Sequence, residues 1–260
     1  MGFQDWLRRR FGRAAPTTDP ELLARLASVI EETRISYLRV EVVRADVPLG
    51  PTESKIGGVP YAPVGAELPS GEPFSFVAQI NFAGVDLAPF PQRGLIQFWV
   101  VADDLYGSLR DEPTSGFRCI YYPDLDRPQR SDLPPPVEDG PVHPDRVAVG
   151  RRLTFHRETC LLAPADCRWE PFLARHQIAV DRLDSDAYDS YSNDGHRIGG
   201  YCAFTQTDPR DASDPPLSLL QLDSDENVAW GDAGIGHWFI READLRACDF
   251  SRVEYYWDCC

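Results

Sequence analysis

The chain contains two similar stretches, residues 53–124 and 195–258, and this repeat is the strongest constraint on its fold. The tetrapeptide Lys55-Ile-Gly-Gly58 of the first stretch returns in the second as Arg197-Ile-Gly-Gly200. Each stretch is too short to bury its own apolar face comfortably. The sequence therefore predicts an internal duplication whose two copies share one core about a pseudo-twofold axis.

Further matching segments follow in the same order in both stretches, with one change of spacing by two residues and another by six. The pairs are Gln79-Ile-Asn81 with Gln221-Leu-Asp223, Phe98-Trp-Val100 with Trp238-Phe-Ile240, and Arg118–Asp124 with Arg252–Asp258. Because the order is kept throughout, the similarity covers the whole of each stretch and not one short motif.

The pattern of apolar residues predicts an α+β fold of mostly antiparallel sheet, in a single domain over residues 1–260. Asp19 is a capping residue and Pro20 suits the first helical position, so we expect an N-terminal helix over residues 19–34. Few short helices follow. Residues 122–150 are rich in proline and acidic residues, which predicts a surface excursion and not a linker between domains. Strands are expected at Tyr37–Val43, Ser75–Phe82, Leu95–Ala102, Phe117–Tyr122, Leu217–Asp223, Ile235–Ile240 and Val253–Trp257.

The chain carries a formal net charge of −15. A surface this acidic repels a phosphate backbone, so the composition argues against nucleic acid as a partner. It favours a basic protein partner or bound cations, with plain solubility as the alternative explanation.

The sequence also favours a cytoplasmic protein without a membrane span. No apolar run approaches the ~20 residues that cross a bilayer. The seven cysteines are odd in number and lack CxxC spacing, and no secretory signal opens the chain, so we expect a reducing compartment. Residues 3–13 combine apolar residues with four arginines. They form either a peripheral membrane contact or a terminus that is frayed or docked on the core.

Several motifs in fixed order resemble a known family. They are Ser54-Lys-Ile-Gly-Gly-Val-Pro-Tyr61, Ala78-Gln-Ile-Asn-Phe82, Gly94-Leu-Ile-Gln-Phe-Trp99, His196-Arg-Ile-Gly-Gly200, Leu219-Leu-Gln-Leu-Asp-Ser-Asp225 and Trp230-Gly-Asp-Ala-Gly234. With these motifs the chain resembles the YwqG-like family of bacterial proteins over nearly everything after the N-terminal helix. The resemblance implies a repeated Ile-Gly-Gly and Gln architecture. It implies no catalytic residues, since that family is known mainly as a domain of unknown function.

An acidic run in the second copy is the first candidate site. Asp223-Ser-Asp225-Glu-Asn227 matches the start of a calcium loop, but Val228 stands where that loop needs glycine, so an EF-hand is excluded. Asp223, Asp225 and Asp232 stay candidates for a divalent cation; alternatively they accept hydrogen bonds from turn amides. In the first copy Ala83 takes the place of Asp225. Such a difference is expected of a site built on one copy only; sequence drift in a loop is the alternative explanation.

Lys55 and His237 complete the candidate ligand-binding set. Lys55 is the only lysine of the chain and lies directly before the first Ile-Gly-Gly. Either an ammonium is specifically needed at this position, or the single lysine occurs there by chance. His237 follows the glycine-rich turn and, with Asp232, has the residue types of a base and its orienting acid. A packed or solvated histidine is the alternative.

The remaining shared residues are predicted to be structural. The glycines permit a turn or a close approach of backbone that side chains forbid, and the glutamines lie within apolar strands, where a buried amide must find partners. These residues are Gly57, Gly58, Gln79, Gly199, Gly200 and Gln221.

Two functions follow from these patterns. The first is a non-catalytic protein-binding module that uses its acidic surface and proline-rich excursion on a partner, such as a basic protein or toxin. The alternative is an enzyme or a small-ligand or cation-binding protein, with a site between the copies around Asp223–Asp232. The missing catalytic motifs favour the first hypothesis.

Overall fold

The computed structural model describes residues 19–45, 47–108, 115–183 and 190–259. These residues form two compact units. The smaller unit comprises the described parts of residues 1–35, 159–194 and 201–215, and the larger unit comprises those of 36–158, 195–200 and 216–260. Residues 3–13, for which the sequence left a peripheral membrane contact or a frayed or docked terminus open, lie outside the described residues.

Ten strands form one sheet. They are β1 (Ile35–Val43), β2 (Lys55–Ile56), β3 (Phe74–Asn81), β4 (Leu95–Val101), β5 (Phe117–Tyr122), β6 (Arg151–Cys160), β7 (Arg197–Ile198), β8 (Leu217–Asp223), β9 (Ile235–Ile240) and β10 (Glu254–Asp258). The α-helices are α1 (Pro20–Glu31), α2 (Pro144–Val147), α3 (Trp169–Arg175) and α4 (Glu242–Ala247). Two 3-10 turns lie at Phe82–Gly84 and Val180–Arg182.

The sheet confirms the predicted class of fold, since every pairing of described register is antiparallel. Its strand order is β10-β9-β8-β7-β1-β6-β2-β3-β4-β5. The strands of residues 53–124 lie in sequence at one end of the sheet, and those of residues 195–258 lie in mirrored order at the other. The long strands β1 and β6 occupy the centre.

The central strands cross between the two ends of the sheet. β1 precedes the first stretch in the chain but pairs with β7 of the second, through Leu38 and Ile198. β6 precedes the second stretch but pairs with β2 of the first, through Arg151 and Ile56. Each end of the sheet is therefore completed by a strand from the other half of the chain.

Hairpin irregularities recur at equivalent positions of the two stretches. The β3–β4 register shifts between Phe76 and Ala78, and the β8–β9 register shifts between Ser218 and Leu220.

The last strands, β5 and β10, pair in a register that differs by two residues from the match between their sequences. Cys119 opposes Phe98 as Tyr255 opposes Trp238, whereas the sequence match aligns Tyr121 with Tyr255. A shift of two keeps each side chain on its face of the sheet.

The sheet curves so that its two ends pack on each other in the core of the larger unit. Phe98 of β4 lies 5.0 Å from Trp238 of β9 between ring centroids, and Phe117 of β5 lies 5.4 Å from Tyr255 of β10. Both ends contribute to one cluster of buried apolar residues. Aromatic pairs of this size supply much of the apolar area that such a core removes from water.

The N-terminal helix of the smaller unit is confirmed as α1, which ends at Glu31, earlier than predicted. The Asp19 carboxylate accepts a hydrogen bond from the Glu21 amide at 3.1 Å, and Pro20 occupies the first turn. Leu26 and Ile30, one turn apart, are buried. This spacing places both on one face of the helix, as the apolar pattern predicted.

The proline-rich segment of the larger unit is fastened to residues 60–66 near its start. Gln129 accepts a hydrogen bond from the Ala62 amide at 2.9 Å and donates to the Pro60 carbonyl at 3.0 Å. The Val64 amide donates to the Pro128 carbonyl at 2.9 Å. Pro134, Pro135 and Pro136 further along are exposed.

Candidate functional site

The acidic run folds into a tight turn after β8, and Asp225 holds that turn together. Its carboxylate accepts hydrogen bonds from the amides of Asn227 and Val228 at 2.7 and 2.9 Å, and from the Asn227 side chain at 2.9 Å. Burial opposes ionisation of Asp225, but hydrogen bonds from His196 and Asn227 outweigh it and hold the pKa of the carboxyl well below its usual value.

His196 connects this turn to the segment before β7. Its Nε2 lies 3.2 Å from an Asp225 carboxylate oxygen, and its Nδ1 accepts a hydrogen bond from the Asp223 amide at 2.9 Å. An Nδ1 that accepts from an N–H carries no proton, so the ring is the neutral tautomer with its proton on Nε2. Both ring nitrogens are used within the fold, so the imidazole has none left to serve as a general base.

Asp223 and Asp232 occupy different environments. The Asp223 carboxylate accepts from the amides of Gly195 and Ser224 at 2.7 and 2.8 Å, whereas Asp232 is exposed in the turn before β9. Within the described ranges, the one group of three metal-ligand side chains with atoms within 4.8 Å is Asp166, Cys167 and Asp208. The carboxylates of Asp223, Asp225 and Asp232 do not converge in this way.

The first stretch contains a matching arrangement. The Ser54 hydroxyl accepts from the Asn81 amide at 2.9 Å, as His196 does from Asp223. The Gln79 amide donates to the Glu53 carbonyl at 2.8 Å, and Gln221 donates to the Gly195 carbonyl at the same distance. These two contacts of the first stretch therefore recur at the equivalent positions of the second. The pairing holds the segment before each Ile-Gly-Gly against the long strand that follows.

Lys55 is almost fully buried, at 2 % exposure. Its ammonium donates to the carbonyls of Gly50 and Pro51 at 3.1 and 3.4 Å. Burial lowers the pKa of Lys55 to about 8, and the nearby Glu53 carboxylate offsets only part of this effect. The ammonium therefore anchors the loop at residues 50–53, which lies across it.

Gln79 is the centre of a buried amide network. Its side-chain oxygen accepts from the Tyr61 amide at 2.9 Å and from the Gln97 side chain at 3.3 Å. Gln97 donates in turn to the Tyr61 carbonyl at 2.6 Å. These bonds satisfy buried polar groups that would otherwise lack hydrogen-bond partners. The network also fixes the segment around Tyr61 on the sheet.

The first pair of glycines lets two backbone segments meet. Gly57 has φ +60°, and a Cβ there would lie 2.4 Å from the Arg146 carbonyl oxygen. The Gly58 amide donates to the same carbonyl at 3.1 Å, and a Cβ on Gly58 would lie 3.1 Å from Gly150. Gly199 and Gly200 of the second stretch also have positive φ.

His237 lies in β9 without exposed surface. Its ring stacks on Phe239 at 5.5 Å between centroids, and it pairs with Gln221 across the β8–β9 ladder. Asp232 is exposed, so the expected base and its orienting acid lie in unlike environments.

The family of the chain follows from comparison with known families. A family model described as a domain of unknown function (DUF1963) matches residues 54–259, more than half of the chain. The chain belongs to the DUF1963 family. Comparison with curated proteins finds no match. Within the described part of the chain, no helix has the length and apolar character needed to span a membrane.

The DUF1963 region begins at Ser54, directly before Lys55, and ends in the segment after β10. It therefore contains nearly all of both stretches, both Ile-Gly-Gly turns and all the site residues that the sequence predicts. Helix α1 and strand β1 precede it.

Sequence reasoning missed one polar cluster of this DUF1963 protein, in the smaller unit. Two Asp-x-Arg turns interlock there, Asp166-Cys-Arg168 and Asp208-Pro-Arg210. In each turn the carboxylate accepts from the arginine amide two residues later at 3.0 Å, and from the guanidinium of the same arginine. Arg210 also donates to Asp166 at 3.1 Å, and the Cys167 amide donates to Asp208 at 2.9 Å.

This cluster is a closed ion-pair network. The side chains of Asp166, Asp208 and Arg210 are at most 2 % exposed. Burial and the neighbouring Asp208 and Asp166 carboxylates raise the pKa of the Cys167 thiol to about 12, so the thiolate that would bind a metal or act as a nucleophile is disfavoured. The carboxylates are neutralised by arginines, and the cluster joins two segments that are far apart in the chain. The Asp-x-Arg sequence, which occurs at both turns, is the feature of the sequence that indicates this cluster.

Proposed function

We propose that this chain is a cytosolic, non-catalytic protein-binding module whose acidic surface engages a basic partner. The docking surface is the acidic platform, defined as residues 60–66 together with residues 124–139. Lys55, Asp223 and Asp225 would stabilise the scaffold that presents it.

The observation that carries the proposal is a set of exposed carboxylates on a fastened segment. Each is exposed, and none forms an ion pair with any described residue. They are Asp124, Asp126, Glu138 and Asp139. Burial, and then the Asp124 carboxylate, raise the pKa of Tyr61 beneath the platform. Negative charge held in place in this way attracts a cationic surface and speeds its association.

A pocket on the platform offers a place for a partner side chain. It has a volume of about 340 Å³ and lies between residues 64–66 and 129–132. Val64 on its wall is 56 % exposed, and Arg130 and Asp132 pair at 2.8 Å beside it. Val64 and Ala66 give the pocket an apolar side, and Gln129 and Asp132 give it a polar side. Such a lining suits a partner side chain with an apolar stem and a charged end, as in lysine or arginine.

The proposal is tested by comparing two charge-matched variants. One carries D124N, D126N, E138Q and D139N on the platform, and the control carries E32Q, E170Q, D181N and D232N at other exposed sites. Each protein is immobilised at low salt against lysate of the source cells, and the captured partner is identified and purified. We expect the platform variant to lose the partner and the control to keep it. Equal retention by both variants would contradict the platform.

We also propose that residues 53–124 and 195–258 are duplicated copies whose long strands are exchanged, within the YwqG-like group of bacterial proteins. The hydrogen bonds and register shifts that recur at equivalent positions support this. Superposition of the two stretches in a crystal structure is expected to align β2–β4 with β7–β9 without gaps in the strands. A match confined to the glycine turns would contradict it.

A further inference from the structure

Three arginines of the larger unit lie close together on a protein of strongly negative net charge. None of Arg44, Arg146 and Arg151 forms an ion pair with any described residue. Other arginines of this unit do have a carboxylate partner, such as Arg152 with Glu53 at 2.8 Å. On a chain with 41 acidic residues, three neighbouring arginines with no ion-pair partner in the described ranges are unexpected.

The sheet places Arg44 and Arg151 at the same end. β1 and β6 are neighbours, and contacts between them run antiparallel, from Arg39 with Glu158 to Glu41 with His156. Arg44 directly follows the last residue of β1, and Arg151 is the first residue of β6. Because the two strands are antiparallel neighbours, the end of β1 and the start of β6 lie at the same end of the strand pair.

A rigid turn holds Arg146 beside them. The Gly150 amide donates to the Arg146 carbonyl at 2.8 Å, and the Gly58 amide donates to the same oxygen at 3.1 Å. The Arg146 Nε donates to the Asn227 side chain at 3.1 Å, which leaves its terminal nitrogens available. A binding site for a small ligand needs donors that the fold holds in place in advance.

Repulsion among the three arginines exceeds the attraction that the nearby carboxylates supply. Burial lowers the pKa of Arg151, and repulsion from Arg146 and then Arg44 lowers it further. Glu226 and Asp145 act in the opposite direction without outweighing this. Like charges held together destabilise a fold, and an anion that binds among them removes the repulsion.

We propose that Arg44, Arg146 and Arg151 form a binding site for a phosphate-type oxyanion. The planar guanidinium presents paired donors that match the oxygens of such an anion. The site is separate from the acidic platform, so it stands or falls independently of the proposed protein partner.

The test is thermal unfolding with inorganic phosphate added at constant ionic strength, balanced with sodium chloride. We expect the Tm of the wild-type protein to rise with saturation. R44Q and R146Q should need roughly tenfold more phosphate for the same rise, since each removes a charge-assisted contact. R93Q is the matched control, because Arg93 is exposed and lies outside the cluster.

A second readout separates a binding site from a structural role. Without phosphate, R44Q is expected to raise the Tm at low ionic strength, because it removes repulsion from Arg151 and breaks no hydrogen bond among the described residues. A linear rise of Tm with phosphate that is equal in all variants would reflect exclusion of the anion from the surface and overturn the proposal. So would the absence of any rise in the wild-type protein.

Discussion

At the scale of single residues, several polar side chains that suggest chemistry in the sequence are hydrogen-bonded within the fold. Asp225 closes a turn, His196 has both nitrogens occupied, and Lys55 anchors a loop. Lys55 and Asp225 have shifted pKa values, yet their partners are backbone groups or side chains of neighbouring segments. Shifted pKa values occur in structural hydrogen-bond networks as well as in active sites.

Asp225 is predicted to stabilise the larger unit strongly. D225A leaves the amides of Asn227 and Val228 and the His196 ring without their acceptor, so we expect a loss of about 2–4 kcal/mol in the free energy of unfolding. D232A removes an equal charge at an exposed site and should change stability by less than about 0.5 kcal/mol. Urea unfolding of both variants measures this. Equal effects would show that the turn does not depend on Asp225.

The buried Lys55 is predicted to make the stability of the protein depend on pH. Its folded pKa of about 8 lies below the value of about 10.4 in an unfolded chain. Between these values the unfolded chain binds more protons, so raising the pH stabilises the folded state. The free energy of unfolding of the wild-type protein relative to K55M should therefore rise by roughly 1–2 kcal/mol from pH 8 to pH 10. A difference that stays constant or falls would show that the ammonium is not desolvated.

At the scale of elements, local patterns predict most of this fold. The α1 cap follows from its capping residues, and the long strands of the two stretches follow from short runs of mostly apolar residues. The two-residue strands β2 and β7 are too short to leave a periodic signal. Each Asp-x-Arg turn has a local sequence signal, but the contacts that interlock the two turns join residues far apart in the chain, so no local pattern predicts those contacts. The two-residue shift of β10 against β5 escapes notice because both registers keep the same residues inward.

The turn at Gly57 is predicted to need glycine for two reasons, its positive φ and the close approach of the Arg146 carbonyl. In G57A the new Cβ would lie 2.4 Å from the Arg146 oxygen, so we expect a loss of about 3 kcal/mol or more. Gly71 also has positive φ, but nothing lies within 4 Å of a Cβ there. G71A should therefore cost only about 1 kcal/mol. Thermal unfolding of both variants separates strain from steric overlap, and equal losses would show that the close approach adds nothing.

At the scale of the whole molecule, the polar groups that stabilise the fold and the charges proposed to bind a partner lie in different places. The polar groups shared by the two stretches lie inside the larger unit and stabilise it, whereas the four carboxylates of the proposed platform are exposed and have no ion-pair partner among the described residues. The sequence predicts the net charge and the repeat. It does not predict which carboxylates are left unpaired, since that depends on which arginines the fold brings to them. The proposed binding surface therefore follows from the folded structure and not from the sequence alone.

The salt dependence of partner binding tests the central claim most directly. The Kd of the purified partner would be measured from ~50 to ~300 mM sodium chloride, a range over which screening of exposed charges becomes strong. We predict that the wild-type protein and the control variant lose affinity steeply as salt rises, and that the platform variant binds weakly with a shallow slope. Salt-independent binding, or a steep slope retained by the platform variant, would contradict the account.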